Sequence, residues 1–156
     1  MARAKENNYI LPQARAMEWL LNEGRGFYAR QDDKNYMTYI TPDGCSLYGI
    51  PTDSFLLDKD RIRKAMNIGG ITLEKGAEKV TDTGKIIDEG RRKLRIFELP
   101  NGETVHINER FYQDFQKVYG KWFQKGELVA YAQGPNAPLQ FVRNDVVIGF
   151  ILPVRH

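Results

Sequence analysis

One segment of this sequence fits a single secondary structure and obliges the chain to build a packed core. The segment carries its large apolar side chains at positions i, i+1, i+4, i+7 and i+8, namely Phe111, Tyr112, Phe115, Val118 and Tyr119. This spacing places every one of them on the same side of an α-helix. Asn108 suits the N-cap of that helix and Gly120 its end. A helix with such an aromatic face must pack against another element.

Predicted strands surround this helix. Strands over 94–99 and 104–107 flank Pro100-Asn101-Gly102, and an Asn-Gly pair between alternating apolar runs is a strong hairpin signal. Three strands follow the helix, over 128–132, 139–142 and 146–152. Nearer the N-terminus, the pattern predicts a helix over 12–23 and strands over 27–30, 36–40 and 45–50. We therefore expect an α+β fold with antiparallel sheets.

The predicted elements follow the order strand, helix, three strands, and this order occurs twice. We expect one domain over residues 1–156, with the two units separated by a basic insertion at about 53–93. Within the insertion we expect a short helix from Asp58 to Met66 and a strand near 71–73. The segment 74–90 fits either a hairpin or a loop. The first helix is expected to bury Ala14, Met17, Leu20 and Leu21.

Composition argues against several classes of protein. One cysteine and two histidines are too few for a structural zinc cluster, and no intramolecular disulfide can form. No run of 18 apolar residues occurs and the N-terminus is polar. We therefore expect a cytoplasmic protein without a membrane partner.

Charge is concentrated in the middle of the chain. The net charge is +3, yet residues 59–95 hold eleven basic and six acidic side chains. This segment can face phosphates or form an ordinary solvated surface, and the sequence leaves both readings open.

The C-terminal third contains the strand at 104–108, the aromatic helix, Pro138-Leu139 and the closing Leu152-Pro153-Val154-Arg155. In this order, over about residues 94–156, these motifs resemble the last domain of bacterial DNA polymerase III β subunits, which are sliding clamps. Clamp subunits contain three such domains and this chain has room for one. The insertion has no counterpart in the family, and His156 stands where the family usually has leucine.

The resemblance implies a DNA-clamp-like fold of two strand-helix-three-strand units with a helix pair. It implies a noncatalytic processivity factor in DNA replication that binds duplex DNA nonspecifically and assembles as a homo-oligomer. The residues implied to line a DNA channel are Arg15, Arg25, Arg110, Lys117 and Lys121. A hydrophobic pocket for peptides of replication proteins is implied at Pro138, Leu139, Phe150, Leu152, Pro153, Val154 and Arg155.

Two other functions stay open. One is a clamp-fold interaction module of a phage or mobile element that does not encircle DNA. The other is a general nucleic-acid-binding module that stacks bases on aromatic side chains, with Tyr9, Trp19, Tyr28, Tyr36, Tyr39, Tyr48, Trp122 and Phe123 as candidates.

We expect no catalytic residue, metal or cofactor. Asp32 and Asp33 are adjacent and diverge, while His106 lies in a strand without an identifiable partner. Cys45 has no assigned base, and the glycine pairs lack the spacing of a phosphate-binding loop.

Overall fold

The computed structural model of this chain describes residues 6–24, 29–32, 37–58 and 71–155, with the backbone alone described over 29–32. Its helices there are α1 (Ile10–Glu23), α2 (Glu109–Val118) and α3 (Gly120–Gln124). Its strands there are β1 (Ala29–Asp32), β2 (Met37–Ile40), β3 (Ser46–Pro51), β4 (Glu78–Lys79), β5 (Thr81–Asp88), β6 (Lys93–Glu98), β7 (Thr104–Asn108), β8 (Val129–Ala132), β9 (Leu139–Arg143) and β10 (Val146–Ile151). The predicted α+β class is confirmed.

Two three-stranded meanders form most of the larger sheet. The strand order is β1-β2-β3-β10-β9-β8-β4, and every neighbouring pair is antiparallel. The meanders β1–β3 and β8–β10 meet where β3 pairs with β10, with Ser46 opposite Ile151. Each meander follows a helix along the chain, so the predicted repetition of helix and three strands is present.

A second sheet has the order β5-β6-β7 and is built from two hairpins. The turn between β6 and β7 contains Gly102 at φ 90°, a left-handed conformation that glycine adopts readily. Residues 81–88, which the sequence left open between hairpin and loop, form strand β5 of this sheet. A single core cluster joins the two sheets, with Ile50 from one and Phe97 from the other.

Helix α2 packs on the larger sheet through its aromatic face, as its spacing predicts. Phe115 stacks on Tyr48 of β3 and on Phe141 of β9, with ring centroids 4.9 and 4.4 Å apart. Tyr119 donates its hydroxyl hydrogen to the carbonyl oxygen of Gly49 at 2.7 Å. The Asn108 side chain accepts from the backbone N–H of Arg110, which confirms the predicted N-cap.

The predicted inward face of α1 is wrong for three of its four residues, and Leu20 alone of the four packs against the core. Leu21 is 79% exposed and Met17 37%, and Ala14 is exposed too, whereas Gln13 is buried. The Gln13 amide donates to the Ser54 carbonyl oxygen at 3.0 Å and accepts from the Leu56 N–H at 2.7 Å. The inward side of α1 is therefore Pro12, Gln13 and Ala16, with Leu11, Trp19 and Leu20 packed against the core. The buried Gln13 amide costs little because its hydrogen bonds are satisfied.

Of three other expected elements, one is absent from the described structure and two fall at least partly on residues that it does not describe. Residues 6–9, the described residues before α1, form no strand, so the described part of the first unit begins with a helix. Residues 71–74 are not a strand either, but they are anchored to β9 by the Gln140 side chain, which accepts from the Glu74 N–H and donates to the Thr72 carbonyl oxygen, both at 2.9 Å. The helix expected from Asp58 to Met66 falls, apart from Asp58, on residues that the structure does not describe.

Candidate nucleic-acid interface

The structure separates the basic residues that the clamp resemblance implies for a DNA channel. Arg15 on α1 forms an ion pair with Asp114 of α2, whose side chain is 8% exposed. Arg110 and Lys117 are exposed on α2, Lys121 is half-buried at the start of α3, and Arg25 is outside the described part of the chain.

A cleft between α1 and α2 brings together two of them, Arg15 and Arg110. The same cleft is lined by Glu18, Glu23 and Asp43, so its acidic side chains outnumber its basic ones. Burial raises the pKa of Asp43 despite the hydrogen bonds that its carboxylate accepts from the Cys45 and Ser46 N–H groups. A groove with this charge balance offers little attraction for a phosphate backbone.

Positive charge is gathered instead in another cleft beside α2, which we call the cationic cleft. It has a volume of about 430 Å³ and lies between the β5–β6 turn and the start of α2. Its basic lining residues are Arg91, Arg92, Lys93 and Arg110. Arg91 and Arg92 come from the β5–β6 turn and Lys93 opens β6. The predicted channel residue Arg110 thus meets the basic segment of the sequence here.

Local hydrogen bonds fix the two walls of the cationic cleft. In the β5–β6 turn, the Gly90 N–H donates to the Asp88 carboxylate at 2.8 Å and the Glu89 N–H to the Arg92 carbonyl oxygen at 2.9 Å. On the other wall, α2 begins directly after β7, because Asn108 caps it. The first turn of α2 therefore lies beside the basic turn.

The one acidic residue that lines the cationic cleft is already neutralised by a buried arginine. Glu109 accepts two hydrogen bonds from Arg95 of β6, at 2.6 and 2.7 Å. Arg95 also contacts Asp82 of β5 at 3.0 Å and lies 4.8 Å from the centre of the Tyr112 ring. Hydrogen bonds to Glu109, more than the charge of Asp82, hold the pKa of Arg95 above its ordinary value.

The remaining charges of the cationic cleft face solvent. Arg92 pairs with Glu89 at 2.9 Å, and both side chains are nearly half exposed, so this pair is screened. Arg91, Lys93 and Arg110 form no ion pair with any residue that the structure describes. Three unpaired cations beside a helix start are a suitable setting for anionic oxygens.

No family model, curated protein or solved structure matches this chain.

The residues implied for a peptide pocket lie at the end of the β9–β10 pair. Leu139 faces Ile151 across this pair and is fully buried, while Leu152 is 38% exposed. The Leu152 N–H donates to the Cys45 carbonyl oxygen and the Val154 N–H to that of His106, both at 2.8 Å. The chain after β10 therefore connects the two sheets. Arg155 is exposed, and four of the implied pocket residues are half-buried here, namely Pro138, Phe150, Pro153 and Val154.

The residues weighed for catalysis show no activated group in the described part of the chain. Burial raises the pKa of the Cys45 thiol, which lowers its thiolate fraction at neutral pH. His106 shares a hydrogen bond with the Thr104 hydroxyl at 3.0 Å. The side chains of Asp32 and Asp33 belong to the part that is not described. Among the described residues, no three acidic, histidine or cysteine side chains are grouped to hold a metal, and no helix has the length and apolarity needed to cross a membrane.

The sequence shows an excess of positive charge in this segment but does not indicate which of its residues share a surface. Arg91, Arg92 and Lys93 were counted in the basic insertion without being assigned to a site. Their adjacency after Gly90, in a turn, is the local signal that could have identified them. Their proximity to Arg110 depends on the packing of two sheets and is not readable from spacing.

Proposed function

We propose that this chain is a noncatalytic, clamp-like DNA-binding protein that holds the phosphate backbone at the cationic cleft. The observation that carries the proposal is the gathering of Arg91, Lys93 and Arg110, without acidic partners in the described structure, around one concave surface. Such a site recognises charge and not sequence, so its affinity for DNA is expected to be nonspecific and dependent on salt.

The clamp-like part of the proposal draws on the arrangement of the two meanders. Each follows a helix, the two pair at β3 and β10, and α1 and α2 are linked by the Arg15–Asp114 ion pair. This agrees with the two-unit domain that the sequence resemblance implies. The cleft between the helices is rich in acidic residues, so we assign the DNA contact to the cationic cleft.

Recruitment of replication proteins remains part of the proposal. Leu152 and Arg155 are the exposed members of the implied peptide pocket. A hydrophobic peptide that binds there would contact Leu152, beside the half-buried Pro153 and Val154.

The DNA-binding test compares two lysines that differ in location. Lys93→Ala removes one charge from the cationic cleft, and Lys125→Ala removes one from an exposed site that does not line it. Binding to a labelled duplex is measured by fluorescence anisotropy across a salt series. We expect Lys93→Ala to reduce the slope of log K against log[salt] by about 1, since one phosphate contact is lost, and Lys125→Ala to leave it unchanged. Equal slopes in the two variants would refute the assignment.

The clamp-like assembly has a separate test. Absolute mass is measured by light scattering with and without duplex DNA. A closed oligomer that associates with DNA supports a ring. A monomer that binds DNA would rule out ring formation and keep the cationic cleft as the DNA-binding surface. A monomer that does not bind DNA would favour the protein-interaction module.

A further inference from the structure

A larger cleft adjoins the cationic cleft along α2, and we call it the amide-lined cleft. Its volume is about 880 Å³, which is within the range of sites that hold a small organic group. Four side-chain amides line it, from Asn8, Gln113, Gln116 and Gln124. Lys117 and Glu6 supply one charge of each sign. The cleft is therefore polar but close to neutral.

The two clefts are adjacent, because Gln113 lines both. Arg110, Gln113 and Lys117 are exposed and lie at i, i+3 and i+7, on one side of α2. At 1.5 Å of rise per residue, Arg110 and Lys117 are separated by about 10 Å along the helix. A strand bound at Arg110 can thus reach Lys117.

Amides differ from lysine and arginine in what they recognise. A glutamine side chain offers one acceptor and two donors, so it matches the mixed donor and acceptor edges of bases better than it matches a phosphate. Gln116 forms no hydrogen bond with any residue that the structure describes, and its amide is available to a ligand. Gln113 contacts Glu109 only weakly, at 3.4 Å.

An aromatic ring completes the amide-lined cleft. Phe123 lines it and is half-buried, and its ring is held edge-to-face by Tyr112 and Phe141 at centroid distances of 5.9 and 6.1 Å. Rings fixed in this way provide an apolar surface for bases that have left a stack. Paired bases in a duplex are stacked on each other and cannot enter a concave site.

We propose that the amide-lined cleft binds unstacked bases of a nucleic acid strand whose phosphates lie in the cationic cleft, so that the preferred ligand is single-stranded. The inference rests on the proposed function, because the cationic cleft supplies the backbone contact. The adjacency of the two clefts favours a nucleic acid over a neutral peptide or sugar, which would not interact with the adjoining cations.

The test uses one oligonucleotide, supplied as a labelled single strand and as a duplex of the same length. The double variant Gln113→Ala/Gln116→Ala removes two amides from the cleft. Gln133→Ala is the matched control, since Gln133 is exposed, does not line either cleft and bonds only to the Lys75 carbonyl oxygen. Phe123→Leu keeps an apolar side chain while removing the ring. Urea unfolding of each variant establishes that it is folded.

We expect the unmodified protein to bind the single strand at least tenfold more tightly than the duplex. The double variant and Phe123→Leu are each expected to lose about tenfold in affinity for the single strand, and to bind the duplex as before. Gln133→Ala should bind both as the unmodified protein does. The inference would be overturned if the unmodified protein bound the duplex more tightly than the single strand. It would also be overturned if the double variant, shown to be folded, bound the single strand with unchanged affinity.

The cationic cleft variant separates the two proposals. If Arg91→Ala/Arg110→Ala weakens binding to both ligands while the amide variants weaken neither, the proposed function stands and the base-binding inference fails. If Arg91→Ala/Arg110→Ala weakens neither, the cationic cleft is not the backbone site and both fail.

Discussion

At the scale of single residues, Arg95 does more than add one positive charge to a basic segment. Its guanidinium joins β6 to β5 through Asp82, to α2 through Glu109, and to the ring of Tyr112. Its side chain is 17% exposed and that of Glu109 is 6% exposed. Removal of Arg95 would leave a buried carboxylate without its partner.

Arg95→Ala is therefore expected to lower the free energy of unfolding by about 3 kcal/mol, near the lower end for a broken buried ion pair. Arg92→Ala is the control, because the Arg92–Glu89 pair is exposed and its loss should cost less than about 1 kcal/mol. Urea unfolding of both variants measures the difference. Similar losses would mean that the Arg95 network contributes no more than a surface pair.

Gly149 is a second residue whose substitution should strongly affect stability, because its position leaves no room for a side chain. A Cβ atom at this position would lie 2.7 Å from the Phe115 ring and would also contact the Leu47 carbonyl oxygen of β3. Because backbone in the centre of a sheet cannot move aside, Gly149→Ala should lower the free energy of unfolding by about 1–3 kcal/mol. Gly134→Ala, where a Cβ would meet nothing within 4 Å, should be nearly neutral. Thermal unfolding compares the two.

At the scale of elements, the orientation of α1 gives a direct test with two neighbouring leucines. Leu20 packs against the core, whereas Leu21 is 79% exposed. Leu20→Gln should therefore lower the free energy of unfolding by about 1–2 kcal/mol, and Leu21→Gln by less than about 0.5 kcal/mol. The sequence-based face of α1 includes both leucines and predicts equal losses. Denaturant unfolding of the two variants distinguishes unequal losses, expected from the structure, from equal losses, expected from the sequence pattern.

The elements that the sequence predicts well are those whose signal is local. The aromatic spacing of α2, the Asn108 cap and the Asn101-Gly102 turn each act within a few residues, and all three appear in the structure. The face of α1 was missed because it depends on hydrogen bonds of Gln13 to Ser54 and Leu56, more than forty residues away.

The candidate site, too, is predictable from the sequence only where its signal is local. A local excess of basic residues indicates where positive charge is, but Arg91 and Arg110 become neighbours only when the β5–β6 hairpin packs beside α2. The residues implied by family resemblance could be located in the fold, and their roles remain predictions. The sequence signal for the amide-lined cleft is the set of polar residues on α2, and it is less conspicuous than the aromatic residues of the same helix.

At the scale of the whole molecule, buried tyrosines make stability depend on alkaline pH. Burial raises the pKa of Tyr112 to about 12, aided by the nearby Asp82, and burial raises the pKa of Tyr119 well above its ordinary value of about 10. The unfolded chain therefore ionises first. The free energy of unfolding should be insensitive to these groups below pH about 10 and should fall as the pH rises from about 10 to about 12.

Urea unfolding at several alkaline pH values, with tyrosinate absorbance recorded in parallel, tests this dependence. Tyr112→Phe removes one of the ionising groups, so its stability should fall less steeply over the same pH range. An unfolding free energy that stays constant up to pH about 12 would contradict the assignment of these rings to the core.

The pairing of β3 with β10 also constrains how the molecule is made. These strands are neighbours in the sheet, with Tyr48 opposite Gly149, although residues 52–145 lie between them. During synthesis, the first meander emerges with one side of β3 unpaired, and it stays so until β10 has left the ribosome. Closure of so long a loop makes folding slow relative to a helical protein of this size. The nascent chain must therefore keep an open strand edge from aggregating until β10 has emerged.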